Sequence, residues 1–152
     1  MLQISKADYD LIRWEAERGY PHECCGILLG KIIGTDRMVT LTVPCENVRS
    51  DSPGNRYRID PQKVIAALKL ARSRSETIVG FYHSHPDHPA QYSETDLTEA
   101  HWFDCSYVIT SVERRHATAI NSYVLTGTEQ HKGFEPEEIE ILAYERALPI
   151  AL

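Results

Sequence analysis

The segment Gly80-Phe-Tyr-His-Ser-His-Pro carries two histidines, His83 and His85, with one residue between them. On a β-strand, side chains at i and i+2 project from the same face, with Cα atoms about 6.5 Å apart. Two imidazoles placed in this way converge on a single ion. Zinc takes imidazole nitrogen at about 2.0–2.1 Å and carboxylate oxygen at similar distances, and a catalytic zinc keeps three protein ligands and leaves one place for water. Asp96, eleven residues after His85, fits as the third ligand. It also has a plainer reading. Ser93-Glu-Thr-Asp96 matches a capping box, in which both side chains satisfy free backbone donors at a helix start. Taken alone, capping is the commoner role, but two histidines on one strand face plus this acid form a set that chance rarely supplies. Hydrolysis also needs a base. Glu23 is the candidate, although spacing alone does not bring it to His83, and an exposed loop acid is the alternative.

These residues need elements to hold them. Residues 5–19 read as a helix with Ser5 as N-cap and Tyr9, Leu11, Ile12 and Ala16 at helical spacing; Gly19 and Pro21 end it. Cys25 to Ile33 is a short apolar run bounded by glycines, read as a buried strand, with Met38 to Val43 as its hairpin partner. Residues 47–56 are a loop by composition. Asp60 caps a helix with Pro61 at its first position, and Val64, Ile65, Leu68 and Ala71 supply the apolar face. Ile78 to His85 is a strand stopping at Pro86. Pro86 and Pro89 stiffen the loop that leads to a short helix starting near Ser93. Ser106 to Val112 and Ala117 to Leu125 are strands joined by a turn at Glu113-Arg-Arg. Glu138 to Leu142 alternates as a strand does, although Pro136 followed by acids also resembles a helix start; strand is preferred. Helices interleave with hairpins, which predicts an α/β (α+β) fold with a mixed, mostly antiparallel sheet flanked by helices.

Bulk properties narrow the function. The 152 residues suit one domain, 1–152, able to bury roughly 68–70% of the surface of its unfolded chain. A net charge of −6, with basic residues scattered, argues against a nucleic-acid surface. The N-terminus lacks a secretory pattern, and the longest apolar run, Val64 to Leu68, is far short of a membrane span. The expected setting is cytoplasmic. Cys24, Cys25, Cys45 and Cys105 form no CxxC pair and read as free thiols.

The pattern Glu23 … His83-Ser84-His85-Pro86 … Ser93 … Asp96 resembles the JAMM (MPN+) motif of zinc metallopeptidases. In that motif a distant Glu precedes His-x-His, seven residues, Ser, two residues and Asp. The flanks agree: Glu23-Cys-Cys-Gly-Ile-Leu-Leu-Gly resembles the family's first strand, and Ser106-Tyr-Val-Ile-Thr-Ser the strand after the metal helix. The similarity runs from about residue 5 to residue 125. It implies an MPN/JAMM fold of cytidine-deaminase-like type and one catalytic Zn2+ on His83, His85 and Asp96. It further implies that Glu23 moves the proton from water to the leaving amine, and that Ser93 donates to the developing oxyanion.

The compact length resembles prokaryotic members, some of which act on ubiquitin-like sulfur-carrier proteins ending in Gly-Gly. The resemblance therefore implies amide or isopeptide hydrolysis at the C-terminus of such a carrier. The stretch Ser52-Pro-Gly-Asn-Arg-Tyr-Arg-Ile-Asp-Pro61 is similar to a loop of that subgroup and is read as lining the groove for the tail; a plain surface connection is the alternative. Two other functions are weighed. A non-catalytic MPN interaction module would have lost ligands that this chain keeps. A zinc deaminase would need His-x-Glu and Pro-Cys-x-x-Cys elements, which are absent. His88 and His101 lack the strand-face relation to His83 and are not expected as ligands. His22 reads as a loop residue, and Tyr92 and Trp102 as packing residues.

Overall fold

The computed structural model describes residues 1–49 and 56–143. Its elements are β1 (Leu2–Ser5), α1 (Lys6–Gly19), β2 (Cys25–Ile33), β3 (Asp36–Cys45), α2 (Pro61–Ser73), β4 (Thr77–Pro86), α3 (Glu94–Glu99), β5 (Ser106–Glu113), β6 (His116–Thr128), β7 (His131–Glu137) and β8 (Ile139–Leu142). The strands form one sheet in the order β7-β6-β5-β4-β2-β3-β1-β8. Pairing is antiparallel at β2–β3, β2–β4, β5–β6 and β6–β7, and parallel at β1–β3, β1–β8 and β4–β5. The mixed α+β architecture expected from the sequence is the one observed.

Local chemistry explains the elements that matter to the site. Ser5 caps α1 by accepting from the Asp8 N–H, and Asp60 caps α2 by accepting from the Gln62 N–H, with Pro61 at its first turn. Arg114 and Arg115 both have positive φ and make the tight β5–β6 turn. One sequence expectation needs amending: Val64 and Leu68 pack on the core as read, but Ile65 is 46% exposed, and Ala67 joins Ala71 as a buried face residue. Strands β1 and β7 had no clear signal of their own. β1 is four residues long, and β7 contains Gly133 and Pro136, both unusual inside a strand.

β2 is buried on both faces, with Ile27 and Leu29 in one core cluster and Leu28 in the other. That is why it reads as a continuous apolar run rather than an alternating one. β4 carries one extra residue, Val79, opposite the Leu28/Leu29 step. This bulge shifts the alternation by one, so Ile78 and Phe81 face one core while Val79 and Tyr82 face the other. His83 and His85 continue the Phe81 face. The β4–β5 pair is parallel, so the chain must cross over before pairing, and α3 lies on that crossover. The crossover carries Asp96 back across the C-terminal end of β4.

Candidate metal centre

His83 and His85 present their Nε2 atoms to each other at 3.2 Å. The Asp96 carboxylate straddles the pair, with Oδ2 3.1 Å from His85 Nε2 and Oδ1 3.3 Å from His83 Nε2. Ligands on a tetrahedral zinc at 2.0–2.1 Å are separated by about 3.3 Å, so these three spacings match the edges of such a site. The protonation pattern points the same way. His85 Nδ1 lies 2.8 Å from the Pro89 carbonyl, which places the ring hydrogen there and leaves a lone pair at Nε2. The Nε2 lone pair of His85 and the ionised Asp96 carboxylate then face each other as acceptors, an arrangement that a cation or a proton stabilises. The residues fit a metal ion.

The two acids differ in environment. Burial opposes ionisation of Asp96, but hydrogen bonds from His83 and His85 outweigh it and hold the carboxyl well below the usual range. Glu23 is buried, its Oε1 has no hydrogen-bond partner among the described residues, and desolvation pushes its pKa up to about 8. Glu23, His83 and His85 also offer ligand atoms within 4.8 Å of one another. By distance alone Glu23 therefore competes with Asp96 for the third place. Their charge states differ: hydrogen bonds favour the ionised form of Asp96, and burial favours the protonated form of Glu23. Burial lowers the pKa of His83. It has the same effect on His85, but there the hydrogen bonds to Asp96 and Pro89 win and the pKa rises, a proton standing in for a metal ion.

Ser93 makes both bonds of the capping box: its Oγ accepts from the Asp96 N–H at 3.0 Å, and its N–H donates to Asp96 Oδ2 at 2.8 Å. The cap and the ligand set are thus one structure. The N–H bond to Oδ2 orients the carboxylate toward the histidines, and the Ser93 hydroxyl hydrogen is left able to donate. All five residues singled out from the sequence meet in one place.

Two hollows flank this place. One is a groove of about 830 Å³ whose walls include Tyr57, Arg58, Trp102, His101 and Asp96. The other, about 340 Å³, is bordered by Glu23, His85, Ser93, His88, Gln91 and Tyr92. The His101 ring faces Glu129 at 3.0 Å, and the His88 main-chain carbonyl accepts from Ser111 Oγ. His22 is exposed and follows the end of α1. Tyr92 packs edge-on against Tyr123 and Phe134, and Trp102 against Phe81. Of the loop read as a groove wall, Ser52 to Asn55 lie outside the described residues; Tyr57 and Arg58 line the groove as expected. Sequence reading did not single out Tyr57, whose ring stacks on His83, or Asn47, which bonds to the Glu23 carbonyl. An aromatic and an asparagine in a polar loop give no signal that would separate them from their neighbours.

Residues 5–126 match the family model described as prokaryotic homologs of the JAB domain. The chain belongs to this family. A curated JAB relative, the desampylase of Haloferax volcanii, is 37% identical over 95 residues, covering 62% of this chain and 66% of the relative. The CysO-cysteine peptidase of Mycobacterium tuberculosis is 33% identical over 108 residues, 71% of each chain. The match thus spans about two thirds of the length of these relatives. Among solved structures, protein DSY2949 from Desulfitobacterium hafniense superposes with a TM-score of 0.80 at 29% identity, covering 95% of this chain and 94% of that one. The JAB family is metal-dependent, and this chain holds a buried group, Glu23, His83 and His85 with Asp96 beside them, that could bind a metal ion. Among the described residues no helix is long and apolar enough to cross a membrane.

Proposed function

We propose that this JAB protein is a zinc-dependent peptidase or isopeptidase that cleaves an amide bond at the C-terminus of a ubiquitin-like sulfur-carrier protein ending in Gly-Gly. The observation that carries the reading is the pairing of an ionised Asp96 on two convergent histidines with a buried, protonatable Glu23 beside them. Relatives named desampylase and CysO-cysteine peptidase support it. Residues 1–152 are taken as one domain, and the free thiols suit a cytoplasmic, reducing setting.

His83, His85 and Asp96 would hold the zinc, which supplies a water nucleophile near neutral pH and polarises the scissile carbonyl. The remaining chemistry belongs to the chain. Ionised Glu23 accepts a proton from the attacking water as the new C–O bond forms. The Ser93 hydroxyl donates to the carbonyl oxygen as its negative charge grows. Glu23 then returns the proton to the departing nitrogen as the C–N bond breaks, giving a carboxylate on the carrier and a free amine. A carboxyl with a pKa near 8 before loading is suited to both directions of transfer.

The placement of Glu23 also gives the substrate a direction. Glu23 borders the 340 Å³ hollow and Asp96 the 830 Å³ groove. The amine must leave on the side of the residue that protonates it, so the carrier tail lies in the larger groove, over Tyr57 and Trp102. The test begins with metal analysis, expected to give about one zinc per chain, as a single catalytic site requires. A ubiquitin-like carrier extended by one residue after Gly-Gly is then incubated with the protein and read by mass spectrometry. Loss of the added residue is the expected result. Glu23→Gln should keep zinc and lose about 10²–10⁴-fold in turnover. His85→Ala should lose zinc and turnover together, and a His85→Ala protein working at the normal rate would overturn the reading.

A further inference from the structure

Between β3 and α2, two short segments, residues 47–49 and 56–58, run side by side and are tied together, with Val48 N–H donating to the Arg58 carbonyl at 2.9 Å. Asn47 is the hub of this strap. Its Oδ1 accepts from the N–H groups of Arg49 and Arg58 at 3.1 and 3.0 Å. Its Nδ2 donates to the Arg56 carbonyl at 3.1 Å and to the Glu23 carbonyl at 3.2 Å. The four bonds use both donors and both acceptor sites of the amide. The Glu23 main chain is therefore pinned on the strap side by Asn47. From the other side, Ser84 Oγ accepts from the Cys24 N–H at 2.8 Å.

The second contact concerns the metal cluster. His85 has its far nitrogen fixed by the Pro89 carbonyl, as ligating histidines usually do. His83 does not: its Nδ1 is buried without a hydrogen-bond partner among the described residues. Instead the Tyr57 ring lies on the His83 ring, with centroids 4.4 Å apart and planes 20° apart. Stacking steadies the plane of His83 where no hydrogen bond reaches Nδ1. The strap also reaches α3, through Arg49 Nη1 and Glu99 Oε1 at 2.7 Å.

We propose that this strap is the positioning device of the site: Asn47 holds the main chain of Glu23, and Tyr57 holds the ring of His83. Because Tyr57 and Arg58 also wall the larger groove, the strap joins that wall to Glu23 through a hydrogen bond and to His83 through a ring stack. The kinetic arm of the test rests on the hydrolase reading; the other arms do not.

Asn47→Asp keeps the acceptor oxygens for Arg49 and Arg58 and removes the donor to the Glu23 and Arg56 carbonyls. In this variant kcat should fall about 10–100-fold while KM stays within about threefold. The zinc Kd should be unchanged, and the Cys24 amide should exchange with deuterium about tenfold faster, as expected of a loosened segment. Tyr57→Leu should weaken zinc binding about 10–100-fold, read by chelator competition, and alter the visible spectrum of the cobalt(II)-loaded protein. Tyr57→Phe should restore both, because the stack needs the ring and not the hydroxyl. If Tyr57→Leu does not fold, Tyr57→Met carries the same measurements. Wild-type Cys24 exchange in Asn47→Asp overturns the Asn47 half, as does wild-type kcat in a turning-over enzyme. A wild-type zinc Kd and cobalt spectrum in Tyr57→Leu overturn the other half. A wild-type protein that releases nothing from the extended carrier sinks the hydrolase reading, and the exchange and metal arms still decide the strap.

Discussion

Glu23 and Asp96 are both carboxylates within a few ångströms of the same histidine pair, and their surroundings drive them apart. Asp96 receives hydrogen bonds that stabilise its charge; Glu23 is desolvated with an unpartnered oxygen. This separation is the physical basis of the proposed division between metal binding at Asp96 and proton transfer at Glu23. It has a consequence for the metal-free protein. The Glu23 proton is held more tightly in the folded chain than in the unfolded one, where the ordinary value is 4.5 against about 8 folded. The stabilisation from that proton is fully present below about pH 4.5 and is lost as pH rises through about 8. The melting temperature of the metal-free protein should therefore fall across this window, and Glu23→Gln, which cannot ionise, should flatten the fall. A Glu23→Gln protein with the same slope as wild type would mean that Glu23 ionises as freely as in solvent.

At the scale of elements, the site depends on a phase shift in β4. If Val79 were paired in regular alternation instead of bulged, a strand that buries Ile78 on the α2/α3 side would turn His83 and His85 toward α1 and away from α3. β2 must then lie close against β4. Gly26 stands opposite Tyr82, and the Tyr82 ring occupies the space that a side chain at 26 would need. Gly26→Ala, next to Cys25 in the strand that Glu23 leads into, should cost about 1–3 kcal/mol in urea denaturation, a typical overpacking penalty. A substitution without effect would show that the ring can move aside. The helices were the most legible elements, because Ser5, Asp60-Pro61 and Ser93 announce their starts chemically. The bulge was not, because one extra apolar residue in an apolar run leaves no trace in composition.

At the scale of the molecule, β7 and β8 are opposite edges of the sheet, yet only Glu138 separates them in the chain. The sheet must curl until its edges meet, and the Leu2 N–H donates to the Glu138 carbonyl at that seam. Inside the seam Arg37 of β3 pairs with Glu137 of β7, both nearly buried, while Ser106 of β5 and Ser122 of β6 donate to the same carboxylate. Arg37 also donates to Ser106 Oγ at 2.7 Å. Glu137→Ala leaves the Arg37 charge buried and should cost about 3–5 kcal/mol, whereas replacing both partners with methionine should cost less than the single change. Denaturant melts of the wild type and the two variants check this, and a double variant as weak as the single one would refute it.

The types and spacings of His83, His85, Ser93 and Asp96 were legible in the chain because metal ligation and capping demand particular side chains at particular intervals, whereas Glu23, sixty residues before His83, was marked by the family resemblance and not by spacing. The strand and helix contexts of these residues were legible for the same reason. Tertiary structure alone decided what surrounds them. Burial raises Glu23 and opposing hydrogen bonds lower Asp96, and no interval along the chain encodes a local dielectric. Contacts such as Asn47 to Glu23, Tyr57 on His83 and Arg37 with Glu137 join residues 24, 26 and 100 positions apart. They depend on how the sheet curls, and so could be read only from the folded molecule.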